Sequence, residues 1–418
     1  MNWMEEKVCE RLLRYAAVTT QSKHFEGVWP TTECQRVLAR MLTQELEEIG
    51  CAEVYYDAEA CVVYGRILPN LLQGELDQPF GLIAHLDTAP DVNGDNVRPW
   101  LLEDYQGGDI LLNPEKGIVM CRADYPWLSA YVGQDLIMTD GTSLLGGDDK
   151  ASIAAIVTFA EYLLAHPEIL HGTICIAFTP DEEVGGLAHS LSLERFGAAV
   201  AYTLDGDHLG YFQDQTFNAA QAHVEITGRS VHPGTAKGIM INAAEIAAEL
   251  ISMLPPKERP QYTDGIEGYY YVSTCRADCE HAELRIVIRD FDRGGFERRK
   301  LLVEECAEQL NRTYGAGRVT VLLEDEYRNM GEVLRSSPQL VERLRNAIEA
   351  CGVTPVCEPF RGGTDGAALS FRGLPCPNLS AGYENAHSRF EFVPVQSMAK
   401  NVEILCAIAE QFRHRTEA

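Results

Sequence analysis

The chain contains short apolar runs that break off at charged residues, and this pattern restricts the fold more than any other feature. Residues 173–178 read TICIAF, stop at Thr179-Pro180, and deliver Asp181, Glu182 and Glu183 side by side. Residues 80–84 end in His85-Leu86-Asp87, residues 199–204 end in Asp205-Gly206, and residues 377–380 form a fourth run. Short apolar runs bounded by breakers read as buried strands. A helical pattern fills residues 151–165, and Val37, Leu38, Met41, Leu42, Leu46 and Ile49 recur at helical spacing up to Gly50, after a capping-box-like Thr32 and Gln35. Strands alternating with helices predict an α/β domain with a mostly parallel central sheet.

Between residues 219 and 326 the pattern changes. Strand-like stretches at 224–226, 269–273, 284–288 and 319–323 interleave with helical stretches at 242–254 and 296–310. The order β-α-β-β-α-β is that of a ferredoxin-like unit. The α/β pattern then resumes with helices near 340–350 and 397–412, so the small domain is expected to be inserted in the larger one. With 418 residues the chain is long enough for two domains. The expected boundaries are 1–218 with 327–418 for the larger domain and 219–326 for the insertion.

Composition removes several classes of function. Asp and Glu number 62 against 35 Lys and Arg, a formal net charge of −27, and a surface that follows phosphates needs the opposite sign. No nucleic acid partner is expected. No run of about 18 apolar residues suggests a membrane span, and the N-terminal stretch does not read as a secretory signal. The expectation is a cytoplasmic protein with no membrane association. Thirteen cysteines without a C-x-x-C pair read as free thiols, which directs the search for a metal site to histidines and carboxylates.

In open α/β sheets the side chains that do chemistry gather at the carboxyl ends of the strands. His85-x-Asp87 at a strand end places both side chains on one face, and a carboxylate there can hold the second ring nitrogen of a metal-binding imidazole. Taken alone, the pair also fits a satisfied core histidine, and the Asp181-Glu182-Glu183 stretch also fits a solvated turn. Another acidic pair, Asp148-Asp149, precedes the helical pattern in LLGGDDKAS. Gathered acids repel one another and lose their charge when buried unless cations compensate them. Gly146-Gly147 lacks the Gly-Lys-Ser/Thr ending of a phosphate loop.

In their order, GLIAHLDTAPD, LLGGDDKA, AFTPDEEVGG, AYTLDG, VHPGTAKG, IRDFDR and RGGTDGA resemble the peptidase T family of tripeptide aminopeptidases, which are co-catalytic di-zinc exopeptidases. The resemblance runs from about residue 20 to residue 412. It implies a zinc-exopeptidase-like catalytic domain with an inserted ferredoxin-like lid or dimerisation domain, a small peptide substrate, a homodimer formed through the insertion, and two Zn2+ ions per subunit. Manganese and cobalt suit the same donors. It further implies that His85 and Asp205 bind one metal, Glu183 and His387 the other, and Asp148 both. Asp87 would orient His85, and Glu182 would be the general base. Adjacent glutamates point in different directions, so one can hold metal while the other handles a proton.

The resemblance also gives His232 a role in holding the tetrahedral intermediate, often at a partner subunit's site, and makes Arg289 and Arg361 anchors for the peptide carboxylate. A structural ion pair is the other reading for both arginines, and a loop histidine without a role is the other reading for His232. The chain departs from the family pattern at Tyr383, Glu384, Ala386 and Phe390 around His387, and at Asp207-His208, where small glycines are usual and His208 could compete as a ligand. A deacylase or dipeptidase of the same fold would share the metal ligands. A non-catalytic binding protein is disfavoured because every ligand is retained together with Glu182 and Asp87.

Overall fold

The computed structural model describes residues 1–24, 27–73, 75–186 and 188–413. The chain forms two compact units, one of Met1–Asp214, Glu332–Glu358 and Thr364–Ala418, the other of Gln215–Gly331 with Pro359–Gly363.

The first unit is built on an eight-stranded sheet in the order Ala52–Asp57, Val62–Ile67, Ile174–Thr179, Phe80–His85, Val200–Gly206, Asn378–Ser380, Tyr211–Gln213 and Val356–Cys357. Its central four strands, from Ile174–Thr179 to Asn378–Ser380, run parallel. The strands Phe80–His85 and Ile174–Thr179 are buried along their whole length, which explains their unbroken apolar sequences. Gly81 lies where the ring of Phe196 crosses the sheet, and a Cβ there would sit 2.3 Å from Phe196 Cζ.

The helix Gly147–Ala165 is sealed from Gly147 to Ala160. It packs between the helices Trp3–Ala16 and Val395–Gln411 and against the Phe80–His85 strand. A helix that is apolar on all sides belongs in an interior, and this one carries Asp148 and Asp149 in its first turn.

The capping box expected at Thr32 and Gln35 does not form. The helix spans Gln35–Glu48 behind Cys34, which makes no side-chain cap. The Gln35 amide reaches a distant turn: Nε2 donates to Asp181 Oδ1 at 2.6 Å, and Oε1 accepts from Asp181 N at 3.2 Å. The two side chains still meet, Nε2 also donating to Thr32 Oγ1 at 3.1 Å, so a long-range tie to the carboxylate turn is added to a local side-chain contact.

The second unit is a four-stranded antiparallel sheet in the order Tyr269–Ala277, His281–Asp290, Asn218–Thr227 and Val319–Tyr327. The helices Ala243–Met253 and Arg293–Tyr314 complete the βαββαβ sequence. Ala220, Ala222, Val224 and Ile226 alternate with more exposed residues and join Ile246, Leu250, Val303 and Leu310 in one core. This is the ferredoxin-like arrangement read from the sequence. The unit reaches beyond 219–326 at both ends and takes in Pro359–Gly363, because Phe360 N donates to Gln215 O at 2.9 Å and Arg361 packs over Phe217 and Tyr269. No described helix is long and apolar enough to cross a membrane.

Candidate metal centre

Three parallel strands end at one cluster. His85 closes its strand, and its Nε2 lies 3.0 Å from Asp148 Oδ1 and 3.5 Å from Asp205 Oδ1. The other ring nitrogen, Nδ1, is 3.1 Å from the Asp87 carbonyl oxygen and 3.3 Å from Asp87 Oδ1. Asp87 thus fixes the ring through its backbone as well as its side chain. Two sets of side chains present ligand atoms close enough to share a cation: His85, Asp148 and Glu183, and His85, Asp149 and Asp205. His387 adds Nε2 at 2.9 Å from Glu183 Oε2 and 3.5 Å from Asp148 Oδ2.

The turn after Ile174–Thr179 gives each of its three acids a different task. Asp181, in the left-handed region at φ 61°, accepts from Thr31 N at 2.8 Å, Thr31 Oγ1 at 2.5 Å and Gln35 Nε2 at 2.6 Å, so it anchors the turn to the N-terminal segment. Glu182 N and Glu183 N donate to the two oxygens of Asp87 at 2.9 and 3.3 Å. With the backbone pinned, the side chains diverge. Glu183 meets His387, whereas the Glu182 carboxylate has no hydrogen bond or ion pair among the described residues.

The turn carrying Asp148 is seated by Glu391, whose carboxylate is 1% exposed. It accepts from Leu145 N at 3.2 Å, Gly146 N at 2.8 Å and Asp148 N at 2.9 Å. The Gly-Gly pair makes room for this contact. A Cβ on Gly147 would lie 2.4 Å from Val393 Cγ2 and 3.0 Å from Glu391 Oε1, and Gly146 has φ +77°. The glycines therefore let backbone amides close on a carboxylate of the chain itself, which fills the kind of N–H cradle that a phosphate takes elsewhere.

The electrostatics leave room for cations. Burial pushes Glu183 up to about 8, with Asp148 repelling it, and burial and neighbouring acids raise Glu182, Asp149 and Asp205 as well. His387 is drawn up to about 12 by its hydrogen bonds to Asp148 and Glu183. Burial opposes the charge on His85, yet the hydrogen-bonded Asp148, Asp205 and Asp87 carry it well above its ordinary value. These shifts mark a site short of positive charge. Glu183 Oε1, Asp149 Oδ1 and Asp365 Oδ1 are buried without a hydrogen-bond partner. Orphaned buried oxygens beside imidazoles are the donor set of divalent cations, so these residues fit a metal centre.

Three other acids line the cluster: Asp149, noted in the sequence as half of an acidic pair but given no role, and Asp365 and Asp91, which the sequence did not single out. Asp149 Oδ2 accepts from His85 N at 3.1 Å. Asp365 is held by Thr179 Oγ1 at 2.7 Å and is raised to about 7 by burial. Asp91 Oδ2 lies 3.2 Å from His387 Nδ1. The signal for Asp365 was present in RGGTDGA, where attention went to the arginine. His208 does not belong to either candidate ligand set, because its Nδ1 lies 2.6 Å from Glu384 Oε1.

His232, Arg289 and Arg361 lie in the second unit. His232 sits on an exposed loop, where Nδ1 accepts from Gly234 N at 3.2 Å. Arg289 pairs with Glu326 at 2.9 Å and lies over the Tyr327 ring. Arg361 donates to the carbonyl oxygens of Gly265 and Glu267 at 2.6 and 3.1 Å and to Thr263 Oγ1 at 3.0 Å. Both guanidinium groups are engaged within their own unit.

A largely parallel sheet whose strand ends converge on imidazoles and carboxylates, interrupted by a ferredoxin-like unit, defines a metallohydrolase of the α/β class. Residues 146–411 match the profile of peptidase family M20/M25/M40. Peptidase T of Desulfitobacterium hafniense is 47% identical over 97% of this chain and 98% of its own length. The chain belongs to this peptidase family. Among solved structures, aminopeptidase PepT from Bacillus cereus superposes with a TM-score of 0.77 at 22% identity, covering 98% of this chain and 99% of that one. A tripeptidase from Staphylococcus aureus follows with a TM-score of 0.76 at 20% identity, with coverage of 98% and 99%.

Proposed function

We propose that this chain is a metal-dependent aminopeptidase that removes the N-terminal residue from tripeptides. Near-full-length similarity to peptidase T enzymes supports the substrate class. The observation that carries the chemistry is the split between neighbouring glutamates: the Glu183 carboxylate is tied to His387, while the Glu182 carboxylate has no hydrogen bond or ion pair among the described residues.

In this reading His85, Asp148, Asp205, Glu183 and His387 hold two divalent cations, zinc first among them. When bound, the cations supply Lewis acidity toward the scissile carbonyl and lower the pKa of the attacking water. Glu182 takes the proton of that water and returns it to the leaving amine. A carboxylate already raised by burial is suited to both transfers. Asp87 keeps this possible by holding the His85 ring and the backbone of Glu182 and Glu183 in one frame. The acid-rich surroundings favour a free α-ammonium group on the substrate. No step above uses Arg289 or Arg361, some of whose donors are bonded within their own unit. Thirteen free cysteines agree with a reducing compartment, and cytoplasmic placement belongs to the reading. Fractionation of source cells, with activity found outside the cytoplasmic fraction, would count against it.

The test is a peptide panel on the metal-loaded protein, read by mass spectrometry. Ala-Ala-Ala is expected to yield alanine and Ala-Ala, and capping its amine is expected to abolish cleavage. A better rate on an N-acylated substrate would replace this reading with a deacylase.

His232 enters the proposal as a donor to the tetrahedral intermediate, supported by its exposed position in the VHPGTAKG loop. Because such a donor acts mainly in the transition state, His232→Ala is expected to lower kcat by about 10²–10³-fold and to leave KM nearly unchanged. Steady-state kinetics check this, and an unchanged kcat removes the role.

A further inference from the structure

His208 follows the strand that carries Asp205. Gly206 O and Asp207 O accept from Ala381 N and Gly382 N at 2.6 and 2.8 Å, which joins this turn to the segment leading to His387. His208 Nδ1 is 2.6 Å from Oε1 of Glu384, a carboxylate only 2% exposed, and the same oxygen accepts from the Tyr131 hydroxyl. The Tyr211 ring meets the imidazole edge-on at 5.2 Å. Asn385, beside Glu384, is fixed by Trp127 Nε1 at 3.1 Å. The ring is therefore held on two sides, while its Nε2 has no hydrogen-bond partner among the described residues and the side chain is 49% exposed. A buried carboxylate against Nδ1 favours the imidazolium, and this hydrogen bond raises His208 above its ordinary value. A half-exposed donor with a fixed orientation, between the segments bearing Asp205 and His387, is a built receptor for an anion.

We propose that His208 determines specificity by receiving a substrate carboxylate at Nε2, with Glu384 and Tyr131 as the positioning residues that hold its ring. The inference rests on the tripeptide aminopeptidase reading. The carboxylate is either the peptide terminus or an acidic N-terminal side chain, since both present the same chemistry.

The test compares kcat/KM for Ala-Ala-Ala against its C-terminal amide, and for Glu-Ala-Ala-amide against Gln-Ala-Ala-amide. The wild type is expected to favour the acid in at least one pair by about tenfold, the range of a charge-assisted hydrogen bond. The first pair identifies the terminus and the second the side chain. His208→Gln is expected to collapse that preference toward unity, chiefly through KM, and His208→Lys to retain most of it. Glu384→Gln is expected to weaken it as His208→Gln does. A preference that survives His208→Gln, or equal losses on acid and amide, overturns the proposal while leaving the aminopeptidase reading intact. If the wild type cleaves none of these peptides, both fall together.

Discussion

Glu182→Ala is expected to retain about two metal ions per chain while turnover falls by about 10²–10⁴-fold, the usual contribution of a general base. Glu183→Ala, one residue away, is expected to lose metal from one site. The contrast follows from the turn itself. Asp87 holds both backbone amides, so neither substitution removes the frame that places the other side chain. Glu183 is committed to His387 at 2.9 Å, and its second oxygen is buried without a partner. Glu182 makes no such commitment. Metal analysis of the two purified variants beside single-turnover rates separates the roles. Loss of metal from Glu182→Ala, with retention in Glu183→Ala, would exchange them.

Glu45→Ala is expected to destabilise the protein by about 3–5 kcal/mol, the cost of breaking a buried ion pair from one side. Glu45 is 7% exposed and accepts from Arg11 Nε at 2.9 Å, Arg14 Nη2 at 2.8 Å and the Tyr15 hydroxyl at 2.7 Å. Arg11 is itself 4% exposed. Removing the carboxylate leaves that guanidinium buried with Glu161 as its remaining anion. Burial alone would raise the Glu45 carboxyl, but Tyr15 and the two arginines outweigh it and hold it below its ordinary 4.5. A depressed carboxylate contributes fully above its unfolded value, and the contribution is lost as pH falls through the folded one. Denaturant unfolding is therefore expected to show the largest gap between wild type and Glu45→Ala near neutrality, closing in acid. A gap that does not depend on pH would mean that the loss comes from packing instead of charge.

The parts of the fold legible in the sequence were those governed by periodicity. Fully buried strands such as Ile174–Thr179 leave an unbroken apolar run, and the breaker that ends the run marks the strand end where chemistry collects. The βαββαβ order could be read because each element carries its own period. Ties between distant segments leave no local trace. Gln35 resembled half of a capping box because nothing nearby indicates that its amide reaches Asp181. Glu391 carries no local signal, since the three amides it collects lie in a glycine turn far upstream. Asp365 escaped, and Asp149 was given no role, for a related reason: an acid's burial beside other acids is a property of the assembled sheet.

The Glu391 seat also bears on when the centre can come into being. Its carboxylate meets Asp148 N across 243 positions of sequence, and contacts of such long range close late, after the loop between them has been drawn together. During synthesis the helix that carries Asp148 leaves the ribosome long before the segment that seats its first turn. His387 emerges only four positions ahead of Glu391. A nascent chain can hence build most of its sheet while the pocket still lacks both its last imidazole and the support beneath Asp148. Hydrolytic competence, in this sense, is withheld until the segment bearing His387 and Glu391 has been made.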